Sequence, residues 1–437
     1  MGAETYALIM LGTIVFAIVI GVHVAIALSA IPLIFGLIFM GERVLPMYPV
    51  QAFGMMSNYP FVAAPLFIYM GALMEHAGVA EKLYDAFYQL LGPVRGGLAL
   101  ATIGMAIIFG ACTGIVGAGV ILIGLLALPS MLSRGYNKAL ATGSIMVGGG
   151  LGVMIPPSIM LILYGCAAGV SISQLYIASA IPGVLLGLMY MAFVYIWAIV
   201  DPSIGKPIQQ NERIRGKELA NLVGKSLVPP VVLILAVMGS IFFGLVGPSE
   251  AGAMGVLGAL GLIVLAGRMN LDVLTRATTS TLKITTAVLM ICLGGQLFTG
   301  VFISMGGDVA LRKIILGFQF GQLGTIIIML LIVWLLGFVM DWIALIFILV
   351  PIFGPLITTV GVDPLYFAIL FCSTLEISNM TPPFAYSAFY LKTIAPEDVT
   401  MGTLYRGCVP FFFVNMAMVI LLLMFPSLIL WLPSLMR

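Results

Sequence analysis

Four short clusters interrupt otherwise apolar runs and carry most of the chemistry available to this chain: GACTGIVGAG at 110–119, VGGGLGVMIPP at 147–157, GFVMD at 337–341 and EISNMTPPF at 376–384. Proline removes a backbone donor and neighbouring glycines relax helical geometry, so each cluster reads as a helix break. A break at membrane depth frees carbonyl oxygens that protein, water or a cation has to satisfy. Sodium is a hard ion suited to oxygen ligands, so facing breaks would form Na⁺ cages. Hydroxyls of Thr113, Ser378 and Thr381 would complete the shells. The plainer reading is that the glycines let helices pack closely and the prolines kink them.

Ionisable groups inside apolar segments are costly and therefore informative. Asp341 sits where the second half-helix of a hairpin would begin, so it either caps that helix or draws cations. Glu376 lies one turn before a break, as a protonated or a Lys-paired carboxyl. Glu250, in GPSEAGAMG, falls in a first helical turn, where a carboxylate satisfies free N–H groups. Asn58 opens a span next to Tyr59 and Pro60, as a cap or as a substrate ligand. His23 and His76 stand alone, and no metal-binding, nucleotide-binding or nucleophile motif is present. Without a nucleotide loop, an ion gradient is the energy source open to this chain. The five cysteines lack CxxC spacing and read as free thiols.

The elements that must position these residues follow from composition. Of 437 residues 62% are apolar and 8% charged, with a net charge of +2. A soluble surface needs about a quarter charged residues. Apolar runs long enough to cross a bilayer recur near 6–40, 52–74, 97–128, 139–168, 175–200, 227–247, 251–267, 280–303, 322–350, 364–391 and 406–432. The chain is thus an all-α polytopic membrane protein. Unbroken runs exclude an outer-membrane barrel, and the low charge leaves no basic face for nucleic acid. The start, MGAETYALIM, has no basic region or cleavage site, so no removable signal peptide is expected. Segment 6–40 suits one tilted helix or two short ones.

Segments 97–128 and 322–350 exceed one ordinary span and are interrupted by Gly or Asp. Each is expected to be a re-entrant hairpin. With both taken so, most Lys and Arg residues fall on one side, around Lys82, Arg134, the 201–226 loop, Arg268 and Arg406. That side is the cytoplasm by the positive-inside rule. Two stretches also repeat, 128–165 and 350–390. Pro156 follows Gly135 by 21 positions, and Pro382 follows Gly361 by 21. The hairpins then enter from opposite faces. Inverted repeats with discontinuous helices mark secondary transporters.

The expected organisation is N-terminal helices over 1–96 and a first repeat core over 97–200, with its broken helix at 139–168. A cytoplasmic linker and connecting helix follow over 201–250, and further helices over 251–321. A second core covers 322–437, with its broken helix at 364–391.

Several motifs carry a family resemblance: NYPFVAAPLFIYMGALME (58–75), GACTGIVGAGVILIGLLALPSMLSRGY (110–136), GGGLGVMIPPSIMLILYG (148–165), GPSEAGAMG (247–255), GFVMDWIALIFILVPIFGPLITTVGVDPLYFAI (337–369) and TPPFAYSAFYLK (381–392). Together they resemble the large membrane subunit of tripartite ATP-independent periplasmic (TRAP) transporters, over essentially the whole chain. The resemblance implies an elevator-type transporter of scaffold and transport parts in the bacterial inner membrane. It implies two partners, a small four-helix membrane subunit and a periplasmic binding protein that delivers an organic acid. It implies Na⁺ as coupling ion and no other cofactor. The first sodium site would use Gly110, Thr113 and Ile115 facing Gly152, Ile155 and Pro157. The second would use Gly337, Ser378, Thr381 and Phe384.

The chain also departs from the family. A Ser-Gly-Ser-Ser-like stretch is replaced by Thr113-Gly114-Ile115-Val116, a common Asn by Thr374, and Ile-Gly before the TPP by Ile377-Ser378. The substrate candidates are Asn58, Thr113, Asp341 and Thr374. A carboxylate or sulfonate would sit at half-helix N-termini. The resulting expectation is a Na⁺-coupled importer of a small organic anion. Its competitors are a stand-alone symporter or ion antiporter and, from another class, a membrane-embedded enzyme or structural subunit.

Overall fold

Backbone groups in an apolar surrounding must pair within their own segment, and helices do this without a partner. A computed structural model describes residues 2–114, 116–317, 320–382 and 385–436. Its regular elements are all helical, with no strand among the described residues. Eight helices there are long and apolar enough to cross a membrane. The number is nine if Tyr59–His76 and Val79–Leu91, bent by 64°, count as one span. Segment 6–40 resolves into two helices, Ala3–Val19 and Val24–Met40. Gly21 at φ +95° breaks them, and His23 accepts a hydrogen bond from Ala25 N to start the second.

The repeat is visible element by element. The first copy runs Ala63–His76, Val79–Leu91, a hairpin of Gly97–Thr113 and Val116–Ser133, an interrupted helix of Lys138–Leu151 and Ile159–Ala168, then Ile172–Val200. The second runs Leu271–Ser304, Gly307–Gly317, a hairpin of Gly321–Leu336 and Trp342–Thr359, an interrupted helix of Pro364–Ser378 and Tyr386–Lys392, then Met401–Met424. Corresponding residues of the interrupted helices differ by 226 positions, as Gly135 does from Gly361. The starting caps correspond too. Asn137 Oδ1 accepts from the amides of Ala139 and Leu140, and Asp363 Oδ1, 226 positions on, accepts from Leu365 and Tyr366. The copies are also interleaved. Val24–Met40 precedes the first copy but packs on Leu271–Ser304, while Pro248–Leu265 precedes the second and packs on Ala63–His76.

Both hairpins run further than the apolar spacing predicts. The first reaches Ser133 rather than 128, and the second reaches Thr359 rather than 350. The reason is that Pro129, Pro351 and Pro355 sit inside helices, as neighbouring helices permit in membrane proteins. The 201–215 linker is tied down. Its Ile204 and Ile208 are buried, Gly205 O accepts from Gly96 N, and Arg134 meets Glu212 at 2.7 Å. The hydrogen bond from Arg134 holds the Glu212 carboxyl below the usual carboxylate range.

The hairpins touch the interrupted helices through backbone. A β-carbon on Gly110 would lie 2.9 Å from both N and Cα of Gly152. One on Gly337 would overlap Cβ and Oγ of Ser378, the counterpart of Gly152 in the second copy. The same close approach is thus made once in each repeat. Gly337→Ala should destabilise the protein by about 1–3 kcal/mol through overpacking. Adding Ser378→Gly, which recreates the arrangement of the first repeat, should recover most of that loss. Thermal unfolding of the purified protein checks this; a Gly337→Ala variant as stable as wild type, or one that Ser378→Gly does not improve, would contradict the packing.

Candidate functional site

Each hairpin turns where a helix can end. Gly114 closes Gly97–Thr113 in the left-handed conformation at φ +62°. In the second hairpin the turn runs from Gly337 to Asp341, whose side chain accepts from Ile343 N at 3.1 Å and caps Trp342–Thr359. Asp341 therefore caps its helix, one of its two expected roles. The side chain also lines a cavity.

That cavity, of about 70 Å³, lies where the two hairpins and the second interrupted helix meet. It is lined by Val116, Gly117, Asp341, Trp342, Asn379, Tyr386 and Tyr390. It has room for a few waters or one carboxylate-sized group. Two 18-residue helices begin at it, Val116–Ser133 and Trp342–Thr359, so both present the positive ends of their dipoles. Tyr390 packs on the first hairpin, since a β-carbon on Gly117 would lie 3.0 Å from its Cζ. Tyr386 donates to Val339 O at 3.3 Å. Asn379 is buried, and its amide nitrogen has no hydrogen-bond partner among the described residues. The sequence reading passed over Asn379. The available signal was a polar residue at the break where the first repeat has Val153.

The expected sodium residues fall into two places. Around the first break Gly110 meets Gly152, and Ile155 packs on Gly183 of the long Ile172–Val200 helix. Pro157 is buried and follows a cis peptide. Ser158 bridges the break, donating to Val153 O at 2.5 Å and accepting from Leu161 N. Around the second break Gly337 meets Ser378. Thr381 donates to Ile377 O at 2.7 Å and accepts from Trp334 Nε1 at 3.2 Å. Ile115 and Phe384 lie outside the described residues.

The substrate candidates are not gathered together. Only Asp341 lines the 70 Å³ cavity. The hydroxyls of Thr113 and Thr374 turn to the carbonyls of Phe109 and Leu370, at 3.4 and 2.9 Å. A helical Thr readily bonds the carbonyl one turn back. Asn58 lines a separate cavity of about 650 Å³ with Cys166, Ser171 and Glu250, and its side chain caps nothing. Glu250 there accepts from the Tyr59 hydroxyl at 2.9 Å. Glu376 is fully buried, and among the described residues neither oxygen is hydrogen-bonded and no Lys pairs with it. It faces Gly150, its own counterpart in the first repeat, where a β-carbon would overlap Oε1. All five thiols are free.

Known proteins agree with this architecture. The chain matches the family described as tripartite ATP-independent periplasmic transporter, DctM component, over residues 11–428. It is 28% identical over 386 residues to the C4-dicarboxylate TRAP transporter large permease protein of Pseudomonas aeruginosa, covering 88% of each chain. It is 30% identical over 378 residues to the ectoine/5-hydroxyectoine TRAP transporter large permease protein of Ruegeria pomeroyi, covering 86% of each. Its fold is similar to the crystal structure of the Alcanivorax borkumensis YdaH transporter, with a TM-score of 0.62 at 14% identity over 89% of each chain. The family match makes this multi-pass, all-helical membrane protein a transporter subunit rather than an enzyme. The chain belongs to the DctM component family of tripartite ATP-independent periplasmic (TRAP) transporters.

Proposed function

We propose that this chain is the large membrane subunit of a Na⁺-coupled importer in the bacterial inner membrane. A periplasmic binding protein hands it a small organic acid, and a small four-helix membrane subunit completes the complex. The transport part consists of the two hairpins and interrupted helices; the remaining helices form the scaffold against which it moves as an elevator. The observation that carries this reading is the twice-repeated approach of hairpin to interrupted helix, at Gly110–Gly152 and Gly337–Ser378, in a fold where both hairpins also line one small cavity. Such an approach leaves backbone oxygens near each break, the ligand type that Na⁺ takes. Two helix N-termini at the cavity would hold the anionic end of a substrate. The names of the relatives fit small organic substrates, a C4-dicarboxylate for one and ectoine/5-hydroxyectoine for another.

Proteoliposomes holding this chain with its small subunit should take up a small organic acid only when both an inward Na⁺ gradient and the cognate binding protein are present. Uptake that persists without the binding protein would make the chain part of an ordinary symporter. No Na⁺-dependent flux across a panel of carboxylates and sulfonates would overturn the transport mechanism proposed. Within the same assay, Thr381→Val should raise the Na⁺ concentration for half-maximal uptake about tenfold, the effect of losing roughly 1.4 kcal/mol of ligand binding. An unchanged Na⁺ dependence would remove Thr381 from the second site.

A further inference from the structure

Three helices outside the hairpins and breaks enclose a cavity of about 450 Å³ on the side assigned to the cytoplasm. Val79 and Lys82 come from Val79–Leu91, Lys225 from Gly216–Phe242, and Leu262 and Leu265 from Pro248–Leu265. The lining has two lysines and no Asp or Glu. Among the described residues neither lysine has an ion pair or a hydrogen bond. Pro229 and Pro230 also line the space. Having no N–H, they leave the carbonyls of Lys225 and Ser226, one turn back, without their helical donors.

The depth of the cavity follows from helix length. Gly216–Phe242 has 27 residues, about 40 Å of helix, against a hydrocarbon core of about 30 Å. Its first residues, GKELAN, are polar, so the surplus projects into the cytoplasm. Lys225 follows Gly216 by 9 positions and so stands at the level of the lipid headgroups. Leu265 and the nearby Val228 and Val232 are exposed, as a surface facing acyl chains would be.

We propose that this cavity binds an anionic phospholipid of the cytoplasmic leaflet whose headgroup carries hydroxyls, such as phosphatidylglycerol. Lys82 and Lys225 neutralise the phosphate from two different helices. The carbonyls of Lys225 and Ser226 accept from the headgroup hydroxyls, and an acyl chain lies along Leu262 and Leu265. One lipid then links Val79–Leu91, which packs on the first hairpin, to Gly216–Phe242 and Pro248–Leu265. The assignment does not depend on what the protein transports.

Native mass spectrometry of the purified large–small subunit complex tests it, with phosphatidylglycerol and phosphatidylcholine of the same acyl chains titrated in turn. Two lysines at the membrane surface should favour phosphatidylglycerol about 30-fold. Lys82→Gln combined with Lys225→Gln should bring that ratio close to one, and Lys82→Arg with Lys225→Arg should keep it. Arg215→Gln with Lys217→Gln, on the same face but outside the cavity, should leave it unchanged. Equal binding of the two lipids by the wild-type complex overturns the assignment. So does a preference that survives the double Gln substitution, the outcome expected if a helix of the small subunit fills the cavity. A loss just as large in the Arg215–Lys217 variant would mean general attraction to a basic face, and inorganic phosphate binding as tightly as the lipid would mean a plain anion site; either result also overturns it.

Discussion

An interrupted helix buried among other helices has to give its loose backbone groups new partners, and the rest of this structure is arranged around that requirement. Each break is met by a hairpin that comes close enough for backbone to touch backbone, at Gly110 on Gly152 and at Gly337 on Ser378. Only residues without a β-carbon permit that distance, which is why glycine stands on the hairpin side in both places. The side chains at the breaks are spent on the same need. Ser158 closes the first through Val153 O, and Thr381 ties the second to Ile377 O and Trp334. Unpaired peptide groups here would cost several kcal/mol each, so packing elsewhere in the core serves to hold these contacts in place.

The two copies share a backbone plan but not a chemistry. At counterpart positions the first repeat has Gly150, Gly152, Val153 and Ile155, where the second has Glu376, Ser378, Asn379 and Thr381. Polar groups therefore concentrate on one side of the axis that relates the copies. Glu376 against Gly150 is the sharpest case, because counterpart positions can touch only near that axis, and there the space left by a glycine is filled by a carboxyl. A symmetric frame with asymmetric lining gives one cavity two unlike walls. Asp341, Asn379 and the tyrosines come from the second copy, while the first contributes mainly a helix start.

Much of this was legible in the sequence because it follows from residues with few conformational options. Glycine and proline announced the breaks, the 21-residue spacing announced the repeat, and Asp341 read as either a cap or a draw for cations. Side chains with local alternatives were harder. Thr113 and Thr374 look like ligands by position, yet each hydroxyl has a carbonyl of its own helix within reach. Asn58 read as a cap or a substrate ligand, but its side chain caps nothing and lies at the entry of Ala63–His76, in a different cavity with Glu250. Proline was misleading in the other direction. Pro351 and Pro355 continue a helix that their presence would end in water. Asn379 was missed because its meaning depends on what three separate elements bring around it.

The charge of the substrate sets what the sodium ions can accomplish under the proposed coupling. Each positive charge moved inward across −100 mV contributes about 2.3 kcal/mol. Two Na⁺ carried with a monoanion leave one net charge, enough for roughly 50-fold accumulation; with a cargo of no net charge both charges count, giving roughly 2,000-fold. Under the proposed coupling a negatively charged cargo therefore cancels part of the electrical driving force that a neutral one would leave intact.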